Sequence, residues 1–154
     1  MNFKRLLGMA VVVGIACTSV LAQASDPLVG TWKLNPAKSK GTYKSGLSVW
    51  EAAGDGIKAT VDLVGADGTA YHWSVTAKYD GKDNAVTGNS PYGDTMSLTR
   101  VNPNTVTIAI KQGGKATVSQ TIVIAPDGKT RTTTAKGVDS KGKPVDGMSF
   151  YERQ

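Results

Sequence analysis

Short turn-forming motifs interrupt this sequence at regular intervals and constrain what it can fold into. They lie at 54–56, 66–68, 80–81, 102–104, 113–114, 126–128 and 141–142. Asp-Gly and Gly-Gly dipeptides supply the positive φ angles of tight β-hairpins, so the segments that flank them are expected to pair as antiparallel neighbours. Regular spacing of such signals is typical of a β-sandwich or a β-barrel.

Between the turns, apolar and polar residues alternate with the period of a strand that buries one face. In the clearest segment, 69–79, aromatic and apolar residues share one face and polar residues share the other. The predicted strands are 29–34, 47–53, 57–64, 69–79, 84–88, 94–101, 104–111, 115–125, 129–137 and 145–152. Because closure removes the exposed edges of a long sheet, we predict an all-β fold, a single closed antiparallel up-and-down barrel of about 8–10 strands. A sandwich is the alternative.

The first 24 residues are interpreted as a cleavable signal peptide. Lys4 and Arg5 form a basic start, an apolar run over 6–16 follows, and Ala22-Gln23-Ala24 has small residues at both cleavage positions. The alternative is a lipoprotein, because Gly14-Ile15-Ala16-Cys17 resembles a bacterial lipobox. We therefore predict a signal peptide over 1–24, a domain over 25–154, and a periplasmic or secreted location.

Removal of the signal peptide would leave a chain without cysteine and lower its net charge from +6 to +4. Stability must then come from a buried core, which about 130 residues are enough to form. The dispersed basic residues form no nucleic-acid footprint, although they suit peripheral contact with an anionic envelope surface. No later segment approaches transmembrane length, so we expect a soluble, monomeric domain.

The predicted domain shows no catalytic or metal-binding pattern. His72 is its single histidine and alternates onto a polar strand face, where a solvated side chain is expected. A zinc site would need further histidines or cysteines, and no serine lies in a nucleophile-elbow motif. The Asp-Gly turns lack the carboxylate density of a calcium loop, and no predicted helix follows Gly113-Gly114-Lys115 to make a phosphate loop. We expect no cofactor, no metal and no catalytic residue.

Aromatic residues and one arginine are the candidates for a binding function. Tyr71, Trp73 and Tyr79 share the apolar face of one predicted strand and either fill a core or line a pocket. Trp50 is ambiguous because its strand does not alternate cleanly. For Arg131 we favour a solvated side chain. The alternative is that period-two spacing turns it inward, where a buried guanidinium needs an anion.

Motifs at the two ends of the domain resemble a known superfamily. Leu28-Val29-Gly30-Thr31-Trp32-Lys33-Leu34 resembles the opening strand of the calycins, and is closest to their intracellular fatty-acid-binding branch. Asp127-Gly128-Lys129 and Phe150-Tyr151-Glu152-Arg153 are similar to the last hairpin of that branch. The chain also resembles exported bacterial proteins of unassigned function that share its Gly-Thr-Trp-Lys-Leu-Asn opening.

The resemblance implies an up-and-down barrel that holds one small apolar molecule. It also implies a structural role for Trp32 at the barrel floor and a ligand-anchoring role for Tyr151. The sequence departs from the family at Ser149, where the fatty-acid-binding proteins have an arginine that holds a carboxylate. It departs again at 35–46, which is too short for the helix-turn-helix that covers their barrel mouth and is expected to form only a short flexible flap there.

We therefore expect a non-catalytic exported protein that binds a small apolar or amphipathic molecule. The expected ligand contacts are Tyr71, Trp73, Tyr79, Arg131, Ser149 and Tyr151. The alternative is an envelope interaction or structural module whose barrel is filled by side chains, and a third hypothesis is an enzyme without a recognisable site. An interior cavity above about 300 Å³ would favour the binding protein.

Overall fold

The computed structural model describes residues 25–154, and the predicted signal peptide with Cys17 lies outside this range. The described chain forms one antiparallel sheet of eleven strands, nearly closed into a barrel. The elements are β1 (Gly30–Leu34), a 3-10 helix (Pro36–Lys38), β2 (Tyr43–Ala53), β3 (Gly56–Gly65), β4 (Ala70–Ala77), β5 (Asn84–Ala85), β6 (Thr87–Gly88), β7 (Thr95–Asn102), β8 (Thr105–Gln112), β9 (Lys115–Ile124), β10 (Thr130–Val138) and β11 (Pro144–Arg153). The predicted all-β barrel is confirmed. None of the helical structure within 25–154 is long and apolar enough to cross a membrane.

Most strands pair with their neighbours in the chain, which gives the predicted up-and-down arrangement. The sheet order is β5-β7-β8-β9-β10-β11-β1-β2-β3-β4-β6. One exception to chain order joins the first strand to the last, where Leu34 lies opposite Tyr151 and Trp32 lies opposite Arg153. This pairing brings the two ends of the domain together on one side of the barrel.

A short segment bridges the seam between β4 and β7. β5 pairs with β7 and β6 pairs with β4, and the chain crosses from one to the other at Val86. Gly88 approaches β4 so closely that a Cβ atom there would lie 2.2 Å from the His72 carbonyl oxygen. The single strand predicted at 84–88 is therefore divided into two, because one straight strand cannot pair with both β4 and β7. This division accounts for the eleventh strand.

The barrel interior holds the core. In β3 every second side chain from Ile57 to Leu63 is buried, whereas Lys58 and Asp62 are exposed. The long strands on either side follow the same alternation, so their apolar faces meet inside the barrel. This is the pattern that the sequence predicts for strands with one buried face and one solvent-exposed face.

The two ends of the barrel differ in how they are covered. Because the strands alternate in direction, the loops at 35–42, 66–69, 89–94, 113–114 and 139–143 gather at one end, called here the mouth. At the other end, called here the closed end, Leu28 is fully buried and its carbonyl accepts a hydrogen bond from Trp32 Nε1 at 2.9 Å. Asp26 accepts hydrogen bonds from Tyr79 and Arg100. Residues 25–29 therefore cover the closed end.

At the mouth, β2 begins at Tyr43 rather than at the predicted residue 47, so part of the expected flap is strand. The rest of the flap lies along β11. The amide of Asn35 donates to the Phe150 carbonyl, and Lys40 and Met148 exchange both backbone hydrogen bonds at 2.7 Å. This segment is thus part of the wall beside the mouth and does not form a separate helical cap.

Candidate functional site

A cavity of about 480 Å³ lies inside the barrel and opens toward the mouth. Its aromatic lining is Tyr43, Trp50, Tyr71, Trp73, Tyr92 and Tyr151. Its aliphatic lining is Val61, Leu63, Ala66, Ile108, Ile122, Ala135, Val145 and Met148. Ligand pockets in proteins are typically 300–1,000 Å³, mostly apolar, and carry a few polar groups that orient the ligand. Both the size and the lining of this cavity match that description.

Arg131 lies at the inner end of this cavity and is only 3 % exposed. It is the second residue of β10, directly opposite Tyr151, and shares the inward face of the strand with Thr133 and Ala135. Its Nη2 donates a hydrogen bond to Ser48 Oγ. The prediction of a solvated Arg131 is therefore wrong. The register of β10 turns the side chain inward, which was the alternative prediction.

Three aromatic rings surround the Arg131 guanidinium. Its central carbon lies 4.3 Å from the ring centre of Tyr151, 5.3 Å from that of Trp32 and 5.7 Å from that of Trp50. The negative faces of aromatic rings attract a cation, and desolvation strengthens that attraction. These contacts hold the guanidinium in place without neutralising its charge.

No acidic side chain among residues 25–154 forms an ion pair with Arg131. Burial lowers the pKa of Arg131 to about 10, because a desolvated cation is destabilised. Tyr151 opposes that shift and the nearby Arg153 cation adds to it. The guanidinium still carries its proton at neutral pH. The inner end of the cavity therefore presents a buried positive charge without a counter-ion from this part of the chain.

Neutral hydrogen-bonding groups surround this charge. Burial raises the pKa of Tyr151, while Arg131 and a hydrogen bond with Ser149 act in the opposite direction. The Tyr151 hydroxyl is accordingly protonated at neutral pH and able to donate. Ser149 lies opposite Thr133 across the β10–β11 pair, and both line the cavity with Gln120.

A pair of tyrosines lies nearer the mouth. The Tyr43 hydroxyl donates to the Tyr92 hydroxyl at 2.8 Å, and the Tyr43 ring meets the Tyr71 ring edge to face, with centres 6.3 Å apart. Burial raises the pKa of Tyr43 to about 12 and that of Tyr92 well above its ordinary value. Neither residue of the pair is marked by the pattern of the sequence. Tyr43 falls in the predicted flap, and Tyr92 lies in a loop without strand periodicity.

Five of the six expected contact residues line this one cavity: Tyr71, Trp73, Arg131, Ser149 and Tyr151. Tyr79 does not. Although it continues the alternation of β4, that strand ends at Ala77. The Tyr79 hydroxyl donates to Asp26 at 2.6 Å, and the Arg100 guanidinium lies 4.0 Å from its ring centre, so Tyr79 belongs to the closed end.

Trp32 lies beneath the cavity and is completely buried. The Arg153 guanidinium stacks on its ring at 4.2 Å and donates to the backbone carbonyls of Pro27, Val29 and Gly128. Trp32 thus joins β1, β11 and residues 25–29, which is the position expected of a structural residue at the barrel floor.

His72 lies on the outer surface, as its strand face predicts. Its Nδ1 lies 2.6 Å from an Asp62 carboxylate oxygen, and both side chains are exposed. Elsewhere in residues 25–154, no three His, Cys, Asp or Glu side chains are grouped closely enough to hold a metal ion.

Comparison with known proteins assigns no function to this cavity. No protein-family model matches the chain, and no curated protein matches it either.

Proposed function

We propose that this protein is an exported calycin-type barrel that binds a small amphipathic molecule with an anionic head group and does not transform it. The observation that carries the proposal is Arg131, a buried cation at the inner end of a cavity of about 480 Å³. A buried charge is strongly unfavourable unless an opposite charge pairs with it. A ligand carboxylate or similar anion would supply that partner.

The rest of the cavity suits the apolar part of such a molecule. Six aromatic side chains line it, together with the aliphatic side chains of Val61, Leu63, Ala66, Ile108, Ile122, Ala135, Val145 and Met148. The hydroxyls of Ser48 and Tyr151 lie beside Arg131 and offer further hydrogen bonds to an anionic head. The polar end of the ligand would therefore lie at the inner end of the cavity, with its apolar part toward the mouth.

The opening and closing motifs that resemble the calycins contact each other in the structure, and this contact supports the calycin assignment. Gly30 and Trp32 of the opening motif pack against Arg153 of the closing motif at the closed end. A Cβ atom on Gly30, whose φ is +141°, would lie 2.2 Å from Arg153 Nη1, so this position requires glycine. Ser149 replaces the family's arginine, and Arg131 reaches Tyr151 from the neighbouring strand in its place.

The placement of titratable groups supports binding without catalysis. His72 lies on the outside of the barrel, and the buried tyrosines of the cavity hold their protons to high pH. General acid–base catalysis near neutral pH favours a group whose pKa lies near the working pH. The groups that line this cavity are better suited to donate hydrogen bonds to a ligand.

Calorimetric titration with decanoate and decanol tests the proposal. Arg131→Met keeps the length of the side chain and removes its charge. It should weaken decanoate binding about 10- to 100-fold, because a hydrogen bond to a charged group is worth about 1.5–3 kcal/mol, and should change decanol binding little. Lys143→Met, which removes a cation at the mouth, is the matched control and should change decanoate binding less than about 3-fold, because exposed charges are screened.

Two results would contradict the proposal. If Arg131→Met weakened decanoate and decanol equally, the guanidinium would not be the anchor for the anion. If neither probe bound to the wild-type protein at micromolar concentration, the interaction module would replace the binding protein as the better hypothesis.

A further inference from the structure

Three buried polar atoms in the cavity wall have no hydrogen-bond partner among residues 25–154: Trp73 Nε1, Arg131 Nε and Thr133 Oγ1. Trp73 and Arg131 both line the cavity, and the two residues are only 5 % and 3 % exposed. Buried polar groups in folded proteins are almost always hydrogen-bonded. Unpaired groups on residues that line one cavity therefore point to a molecule that binds there.

These atoms lie on opposite walls of the barrel. Arg131 and Thr133 are on β10, and Trp73 is on β4, with four strands between them in the sheet order. Continuing past β9, β8 and β7 to the seam reaches β4 from the other side, so the two strands are about half a turn apart. A molecule in the cavity therefore meets a cation on one wall and a neutral N–H donor on the facing wall.

Trp73 differs in this respect from the two other tryptophans of the chain. Trp32 Nε1 donates to the Leu28 carbonyl at 2.9 Å, and Trp50 Nε1 donates to Ser48 Oγ at 3.3 Å. An indole N–H can only donate, so the group on Trp73 needs an acceptor. The cavity is where such an acceptor would have to lie.

We propose that the ligand carries a hydrogen-bond acceptor within its apolar part, in addition to its anionic head, and that Trp73 Nε1 recognises it. The ligand class is then an oxygenated or heterocyclic organic anion, in contrast to a plain alkyl-chain acid. This inference rests on the proposed binding function. The carboxylate of a plain alkyl-chain acid would pair with Arg131, but its hydrocarbon chain would offer the Trp73 N–H no acceptor. The N–H would then lose the hydrogen bond that it makes in water.

The test compares decanoate with a series of oxodecanoates in which the ketone moves along the chain one carbon at a time. Isothermal titration calorimetry gives Kd for each in the wild-type protein, in Trp73→Phe and in Trp50→Phe. At one ketone position the wild-type protein should bind roughly 3- to 10-fold more tightly than it binds decanoate. That gain should vanish in Trp73→Phe. Trp50→Phe removes an indole N–H that is already paired. Because Trp50 also lines the cavity and contacts Arg131, the variant's own decanoate Kd is the reference, and the gain relative to that value should persist.

A second measurement needs no variant. The chain has three tryptophans, so its indole N–H signals are few in a ¹H–¹⁵N correlation spectrum. The best oxodecanoate should move the Trp73 signal downfield relative to decanoate, and should move those of Trp32 and Trp50 less. Equal shifts of all three would overturn the assignment to Trp73.

The other outcomes separate this inference from the proposed function. If decanoate binds through Arg131 but all ketone positions bind alike, the second polar contact is refuted and the anionic anchor stands. If the ketone gain survives in Trp73→Phe, the acceptor is recognised elsewhere and this inference fails. If no member of the series binds, the proposed function fails and this inference fails with it.

Discussion

Replacing Arg131 with methionine is expected to stabilise the ligand-free protein, although it removes a charged group that contacts four neighbours. A pKa lowered to about 10 corresponds to roughly 3 kcal/mol against the charged form of Arg131 in the folded state. Methionine fills a similar volume without that cost. Some of the gain is lost, because Ser48 Oγ loses the hydrogen bond from Arg131. We expect the free energy of unfolding to rise by about 1–2 kcal/mol.

The same change at Arg153 should have the opposite sign. Arg153 donates to three backbone carbonyls and stacks on Trp32, so its charge is well solvated by the protein. Arg153→Met would leave those carbonyls without their donor and should lower the free energy of unfolding by about 2–4 kcal/mol. The two variants form a matched pair, since each replaces one arginine with methionine.

Urea denaturation followed by far-ultraviolet circular dichroism measures both variants. The difference in free energy of unfolding between the wild-type protein and Arg131→Met also depends on pH. Because its folded pKa lies below its ordinary value, the cost of its charge is fully present at neutral pH and declines as pH rises above about 10. A loss of stability in Arg131→Met as large as that in Arg153→Met would refute this reasoning. It would mean that the guanidinium is a structural element of the barrel and is not held at a cost for a ligand.

Two further predictions concern groups above and below the cavity. Trp32→Ala should cost about 3–5 kcal/mol in denaturant unfolding, since it truncates a fully buried ring between β1 and the closed end; a loss under about 1 kcal/mol would contradict its structural position. The raised pKa of Tyr43 means that the folded state keeps this proton while the unfolded chain loses it, so stability from this group is complete below pH 10 and is lost as pH approaches 12. The wild-type urea midpoint should fall over that interval, and Tyr43→Phe should reduce the fall by roughly 2 kcal/mol or less. An unchanged slope in Tyr43→Phe would show that other groups cause the loss.

The strands were predictable because local features decide them. Turn glycines and two-residue alternation mark β3, β8 and β9 to within about one residue of their observed ends. The start of β2 was missed because the pairing with β3 shifts between Tyr43 and Ser45, and such an irregularity breaks the alternation.

The site was only partly predictable, since long-range contacts decide it. Tyr79 carries the alternation of β4 one step past its end, and its side chain contacts Asp26 and Arg100, which are distant in sequence. For Arg131 the parity of β10 allowed either face, and the general preference of arginine for solvent favoured the wrong one. Tyr92 enters the cavity from a loop, where no periodic pattern marks an inward residue.

The position of the first and last described residues has a practical consequence. Ser25 begins the segment that covers the closed end, and Gln154 follows β11, where its amide donates to the Thr31 carbonyl. The rim of the mouth consists only of internal loops. An affinity tag, a fluorescent fusion partner or a surface coupling joined directly before Ser25 or after Gln154 would therefore attach on the side opposite the opening. Molecules immobilised in this way would present their openings to the solution, a suitable orientation for a sensor that screens candidate ligands.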